Sequence, residues 1–435
     1  MIKRRILSVA FFICLALTAV GCAHRADMAE QAEMSEEIIT LKLMSQWSQA
    51  GSPAQYNAAN KIIKEFMAAN PNVKIDVDVL ETNQYKAKLK VLAASNKLPD
   101  VGFTWAAGFM EPYVKGNEFA PLDDLLKGTL KDKFVPGTTE SFSYNGSTYA
   151  LPVELNIVPI YYNKAIFAKY NLEVPRTYAD FKHIIKTLAD NGVTPITLGG
   201  KDGWTSSFWY MYLADRIGGS ELMDRAVENK TFTEPALIQA AREAQSLVDM
   251  NAFTKGFNGL SNDEIKSQFT LGNSAMYAMG TWEVPNYTTN PDTPQQFKDN
   301  VGFFKFPIVA GGKGNIDDWV GGVGVGMFVS QNSRHLDAAK KFVDFFVQKW
   351  GENSVNAAGV IPATKVDTSK GNLPRMYIDL LTQLNKAHKV ILYLDVQMRP
   401  VAAETHHNLV QALFGKGITP EQFAKKQEDA LKAGT

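Results

Sequence analysis

The chain has 435 residues with 45 basic and 45 acidic side chains, a formal net charge of zero. Nucleic-acid binding needs a basic excess or stripe, so that balance argues against it. At 45% hydrophobic and 21% charged residues, the composition is that of a folded protein. The length allows about two or three domains with no need for a disulfide framework. The two cysteines, Cys14 and Cys22, lie at the N-terminus. The body of the protein therefore has no thiol nucleophile, cysteine zinc site or iron–sulfur cluster.

Lys3, Arg4 and Arg5 precede an uncharged run from Ile6 to Gly21, which is shorter than the ~20 residues that span a bilayer. A basic head, a short apolar stretch and small residues at its end read as a secretory signal. The stretch ends Ala19-Val20-Gly21-Cys22 and resembles a bacterial lipoprotein signal over residues 1–21, with Cys22 as the lipidated residue. Ala19 stands where that signal usually has leucine, a departure the signal tolerates. Residues 22–37 hold few large apolar groups and read as a flexible tether. The expected location is the outer side of a bacterial cytoplasmic membrane, extracellular or periplasmic, held by lipid and not spanning.

Ile39, Leu41 and Leu43 alternate with polar residues as a strand, and residues 55–69 carry Ile62, Ile63, Phe66 and Met67 at helical spacing. Val73, Ile75, Val77 and Val79 repeat the strand pattern. A helical stretch with Tyr85, Leu89 and Leu92 follows, then a short strand from Pro99 to Thr104. This βαβαβ order predicts mainly parallel sheets covered by helices. An apolar β-rich segment spans 148–162. Helices are expected near 164–170, 177–191, 206–216, 234–251, 335–349, 373–388, 402–414 and 420–432. Strands are expected at 195–200, 273–282, 301–309 and 323–329. No linker separates independent domains, as expected of two lobes joined by several crossings.

Taken in order, LKLMSQWSQ, AANPNVKI, KLPDVGFTW, TYALPVELNIVPIYYNKAIFAKYNLEVPRTYADF, GNSAMYAMGTWEVPNY, WVGGVGVGMFVSQNSRHLDAAKKFVDFFV and GVIPATK carry a resemblance over nearly the whole mature chain. The sequence resembles the family 1 extracellular solute-binding lipoproteins of bacterial ABC importers, the group that binds sugars and oligosaccharides. The resemblance implies an α/β, two-lobe periplasmic-binding-protein-like fold of type II with a ligand cleft. Lobe 1 would hold 38–152 and 321–366, and lobe 2 would hold 153–320 and 367–435. It also implies a monomer, a carbohydrate ligand, a permease with a cytoplasmic ATPase, and no enzyme activity, cofactor or metal.

A sugar ring offers an apolar face to an aromatic plate and a rim of hydroxyls to carboxylates and amides. Trp47, Trp105, Trp204, Trp282 and Trp319 sit at expected strand ends or loops, and Glu283 follows Trp282 in GTWE, which matches the family's cleft position. Trp209 and Trp350 read as packing. Asp100 enters a strand that points into the cleft in this family. Glu154 and Asn156 interrupt an apolar run, where a charge needs a partner or an open cleft. Asp395 and Arg399 lie between helices, and Gly321 and Gly322 would let backbone approach a ligand.

Other features carry no site. Tyr161 and Tyr162 alternate to opposite faces of a strand, which argues against a ferric-ion pair. His406-His407 reads as a solvated face, not an i,i+4 zinc pair. VGGVGVG lacks the Gly-Lys-Ser/Thr ending of a phosphate loop. A glycosidase would need two carboxyls about 5 Å or 6.5–9.5 Å apart. That reading, and binding of a peptide, polyamine or phosphate ester, are the alternatives to a sugar receptor.

Overall fold

The computed structural model describes residues 37–355, 359–367 and 373–433. The signal segment, Cys22 and nearly all of the tether lie outside the described residues. Three of the four sheets formed by the described residues organise the fold. The first has the order Val73–Val79, Ile39–Ser45, Val101–Trp105, Val325–Val329, Leu151–Pro152. Its edge strand Val73–Val79 is buried only at Val73 and then alternates exposed and half-buried positions, while Val101–Trp105 and Val325–Val329 are buried throughout. That is how edge and central strands differ when helices cover the faces. Helices Pro53–Ala69 and Leu336–Asn353 pack together on this sheet, with Phe66 edge-on to Phe342 at 5.0 Å between ring centres.

The second sheet has the order Val301–Phe304, Ile160–Asn163, Ser274–Ala278, Thr194–Thr197. Helix Tyr178–Asp190 packs on it and begins with a capping box made by Thr177 and Asp180. The third sheet, Lys389–Leu392, Asp318–Val323, Leu155–Ile157, joins the other two. The sheets are mixed where the sequence suggested mainly parallel ones. Val101–Trp105 pairs antiparallel with Val325–Val329, and Ile160–Asn163 is antiparallel to both neighbours. The reason lies in the crossings, because a strand that returns from the other lobe enters the sheet in the opposite sense.

Two crossings lie side by side. One passes from Leu151–Pro152 through Val153 and Glu154 to Leu155–Ile157, and the other turns at Gly324 between Asp318–Val323 and Val325–Val329. Gly324 N–H donates to the Glu154 carbonyl at 2.7 Å. A Cβ on Gly324 would stand 2.6 Å from Asn156 Nδ2, so a larger residue there would displace the Asn156 side chain. The described segment 359–367 runs against them. Ala363 N–H donates to the Val153 carbonyl and Leu155 N–H to the Ile361 carbonyl, each at 2.9 Å. The third crossing expected at 365–370 lies partly outside the described residues. Among the described residues no helix is long and apolar enough to cross a membrane.

Candidate ligand-binding cleft

A cavity opens where the crossings meet, lined from both sides. Strand Ile39–Ser45 ends in the loop that brings Trp47, strand Val101–Trp105 ends at Trp105, and helix Thr82–Ala94 brings Lys86. Opposite them stand Trp204, the first residue of helix Trp204–Gly218, and Trp282 in the turn after strand Ser274–Ala278. Glu154, Asn156 and Gly324 form the floor.

The tryptophans differ in what they leave open. Trp282 and Trp204 are half-buried, with ring centres 6.2 Å apart, and Phe208 and Tyr393 lie 6.4 and 6.3 Å from Trp282. Gly280 seats the Trp282 ring, because any Cβ there would overlap it. Trp47 is 5% exposed and stacked on Trp350, with ring centres 4.4 Å apart and planes within 11°. Lys86 Nζ sits 4.4 Å above the Trp105 ring. Trp47 and Trp105 therefore line the cavity with faces already occupied, whereas Trp282 and Trp204 keep apolar surface for a ligand.

The polar groups are held in place by neighbours. Thr281 Oγ1 donates to Asn156 Oδ1 at 3.1 Å, and Asn286 Nδ2 donates to Glu283 at 2.7 Å. Asp395 lies 3.6 Å from Lys86 Nζ and 3.3 Å from His407 Nε2. Burial opposes its ionisation, but Lys86 and the histidines outweigh burial and hold its pKa well below the usual carboxylate value. Lys266 Nζ lies 2.9 Å from Asp263. Burial disfavours its charge, yet Glu283, Asp263 and Glu81 leave its pKa raised. Burial pushes Asp202 up, opposed by donors from Asn262 N–H at 2.7 Å and Asn83 Nδ2 at 2.9 Å.

Several bonds cross the cavity. Gln55 Nε2 donates to the Trp282 carbonyl at 3.1 Å, and Lys266 Nζ to the Gly51 carbonyl at 2.8 Å. With Asn83–Asp202 and Lys86–Asp395 they hold the two sides together as a closed cleft.

Of the residues singled out in the sequence, Trp47, Trp105, Glu154, Asn156, Trp204, Trp282, Glu283 and Asp395 line this cavity. The others stand elsewhere. Asp100 begins strand Val101–Trp105 at the end away from the cleft, accepting from Lys42 N–H at 2.8 Å and Ser333 Oγ at 2.6 Å. Trp319 is 1% exposed inside strand Asp318–Val323. Gly321 and Gly322 make room for neighbouring strands: a Cβ on Gly321 would overlap the Asn156 carbonyl, and one on Gly322 would meet Leu392 at 2.9 Å. Arg399 precedes helix Pro400–Phe414 and lines a separate surface groove. The histidine pair is not a solvated face. His406 is fully buried between Ser207 Oγ at 2.8 Å and Gln427 Oε1 at 3.1 Å, and burial lowers its pKa to about 3. Sequence reasoning missed Gln55, Lys86, Asp202, Phe208, Lys266 and Tyr393. Tyr393 had a local signal, two residues before Asp395 in LYLD, and so had Asp202, two residues before Trp204 in GGKDGW. Among the described residues no group of three or more His, Cys, Asp or Glu is arranged to hold a metal ion.

Two α/β lobes that meet over an aromatic and carboxylate-lined cleft are the architecture of a solute-capturing receptor. Residues 50–349 match the family model of the bacterial extracellular solute-binding proteins, and the chain belongs to that family. It is 24% identical over 363 residues to an uncharacterized ABC transporter extracellular-binding protein of Pyrococcus horikoshii, covering 81% of this chain and 78% of that one. It is 24% identical over 339 residues to the multiple sugar-binding protein of Streptococcus mutans, covering 76% of each. A solved structure from work on xylan utilization by the thermophilic bacterium Caldanaerobius polysaccharolyticus superposes with a TM-score of 0.85. It shares 33% identity over 90% of this chain and 99% of that one.

Proposed function

We propose that this protein captures a neutral oligosaccharide in the cleft, closes over it and delivers it to an ABC permease driven by a cytoplasmic ATPase. The observation that carries this reading is the half-open Trp282–Trp204 wall facing fixed carboxylates and amides, an arrangement suited to a ring face and its hydroxyl rim. The sugar-binding relative and the structure from xylan work support the same ligand class. The lobes divide near 152 and 320, and the protein acts as a binding monomer, not an enzyme. A polyamine is the second reading, favoured by the excess of Glu81, Asp202, Asp263, Glu283 and Asp395 over Lys86 and Lys266. That excess also argues against a phosphate ester.

A thermal-shift screen of residues 23–435 tests this reading against xylo-oligosaccharides, other neutral glycans, a uronate, sugar phosphates, peptides and spermidine. At a hundred times its dissociation constant a ligand adds ~2.7 kcal/mol of stability. One neutral glycan series is expected to shift the transition, and the uronate and phosphates are not. A response to spermidine or peptides alone would overturn the carbohydrate reading.

The reading includes a lipid anchor on Cys22 at the outer face of the cytoplasmic membrane. Cys22→Ser is expected to prevent lipid labelling and detach the protein from the membrane fraction. Unchanged labelling and fractionation would exclude Cys22 as the anchor.

A further inference from the structure

The floor of the cleft holds an acid whose chemistry differs from that of the other carboxylates around it. Glu154 is 4% exposed, and its Oε1 has no hydrogen-bond partner. The lysines of the cavity are committed elsewhere, Lys86 to Asp395 and Lys266 to Asp263. Burial pushes the Glu154 pKa up to about 8, with the Asn156 side chain pulling the other way. Tyr393, lining the same cavity, also has a buried hydroxyl without a partner. Burial, then Tyr212, Asp395 and Glu154, push the Tyr393 hydroxyl pKa up, and Asp395, Lys86, Lys266, Glu283 and Glu81 also line the cavity. The neighbouring strand Val325–Val329 contributes no ionisable side chain.

An ionised carboxylate only accepts hydrogen bonds, and so do the ring and glycosidic oxygens of a sugar. Asp395, whose pKa Lys86 and the histidines hold well below the usual carboxylate value, therefore suits hydroxyl donors but has nothing to give a ring oxygen. A protonated acid does. We infer that Glu154 is a specificity-determining residue that keeps its proton in the folded protein and donates it in a hydrogen bond to an acceptor oxygen of the ligand. This rests on the carbohydrate reading above. It assigns the floor to an ether-type oxygen and the walls to hydroxyls.

The test compares the wild type, Glu154→Gln, which keeps a neutral donor of the same shape, and Glu154→Ala. The infrared difference between wild type and Glu154→Gln at pH 7 is expected to show a protonated carboxyl band. The Gln variant is needed for the assignment, because burial also raises Asp215, to about 7. For the glycan found in the screen, Glu154→Gln is expected to bind within about threefold of wild type and Glu154→Ala about tenfold more weakly. Wild-type affinity should fall as pH rises past about 8, while that of Glu154→Gln stays flat. A missing carboxyl band overturns the inference whatever the ligand, as does a Gln variant as weak as the Ala variant. If no glycan binds, the carbohydrate reading fails and the donor role toward a glycan fails with it, while the band separately decides whether the proton is held.

Discussion

Trp282→Ala is expected to weaken glycan binding about a hundredfold, close to 2.7 kcal/mol, while leaving the unfolding midpoint nearly unchanged. The asymmetry follows from position. Trp282 is half-buried, touching Trp204, Phe208 and Tyr393 only at ring-centre distances of 6.2–6.4 Å, so its removal leaves the core intact. Trp47→Ala should do the reverse. Its ring is sandwiched by Trp350 at 4.4 Å and Phe103 at 4.5 Å, and truncation should cost ~3–5 kcal/mol of stability. Gly280→Ala separates the ring from its placement. Gly280 has φ −67° and ψ 159°, which alanine adopts without strain, but the added methyl overlaps the Trp282 ring. It should therefore reproduce much of the binding loss of Trp282→Ala in a stably folded protein. Isothermal titration and denaturant unfolding read both quantities. Undiminished glycan affinity in Trp282→Ala would remove the aromatic wall from the binding account.

The residues found and missed in the sequence divide by where their information lies. Alternation placed Ile39–Ser45 and Val73–Val79, because each pairs one covered face with one more open. Strand Lys389–Leu392 goes unread between the helices expected at 373–388 and 402–414, since four residues after a helix carry no readable period. Glu154 and Asn156 stood out as polar residues inside an apolar run. Asp100 had similar chemistry but the wrong end of its strand: ligands gather at the carboxyl ends of strands, where Trp105 lies. Trp319 looked like a loop residue because the Gly-rich run after it masks the strand containing it. Gln55, Lys86 and Asp202 read as ordinary polar residues, because their partners lie on the opposite side of the cleft. His406 was misread because its helix is covered on the polar side by Ser207 and Gln427 from two other helices.

A stability effect as large as that of Trp47→Ala is expected at Arg216, in the last turn of helix Trp204–Gly218. Its guanidinium is buried, pairs with Asp215, and donates through Nη2 to the carbonyls of Phe306 and Asp318, each at 3.0 Å. It thus ties the helix to the segment leading from strand Val301–Phe304 into strand Asp318–Val323. Arg216→Ala leaves the Asp215 carboxyl and two carbonyls without their donor, and should cost ~3–5 kcal/mol. The loss should grow with pH. Burial already raises Asp215 to about 7, against the pull of Arg216, and removing the cation raises it further. A raised folded-state pKa gives stability that is fully present below the unfolded value of 3.8 and fades as pH climbs through the folded value. Urea unfolding should therefore show a larger deficit for Arg216→Ala at pH 8 than at pH 5. The double variant Asp215→Asn, Arg216→Met should recover part of it, because it removes the stranded charge along with its partner. A deficit under about 1 kcal/mol, or one that shrinks with rising pH, would mean that water reaches the pair and that the helix end is held by packing alone.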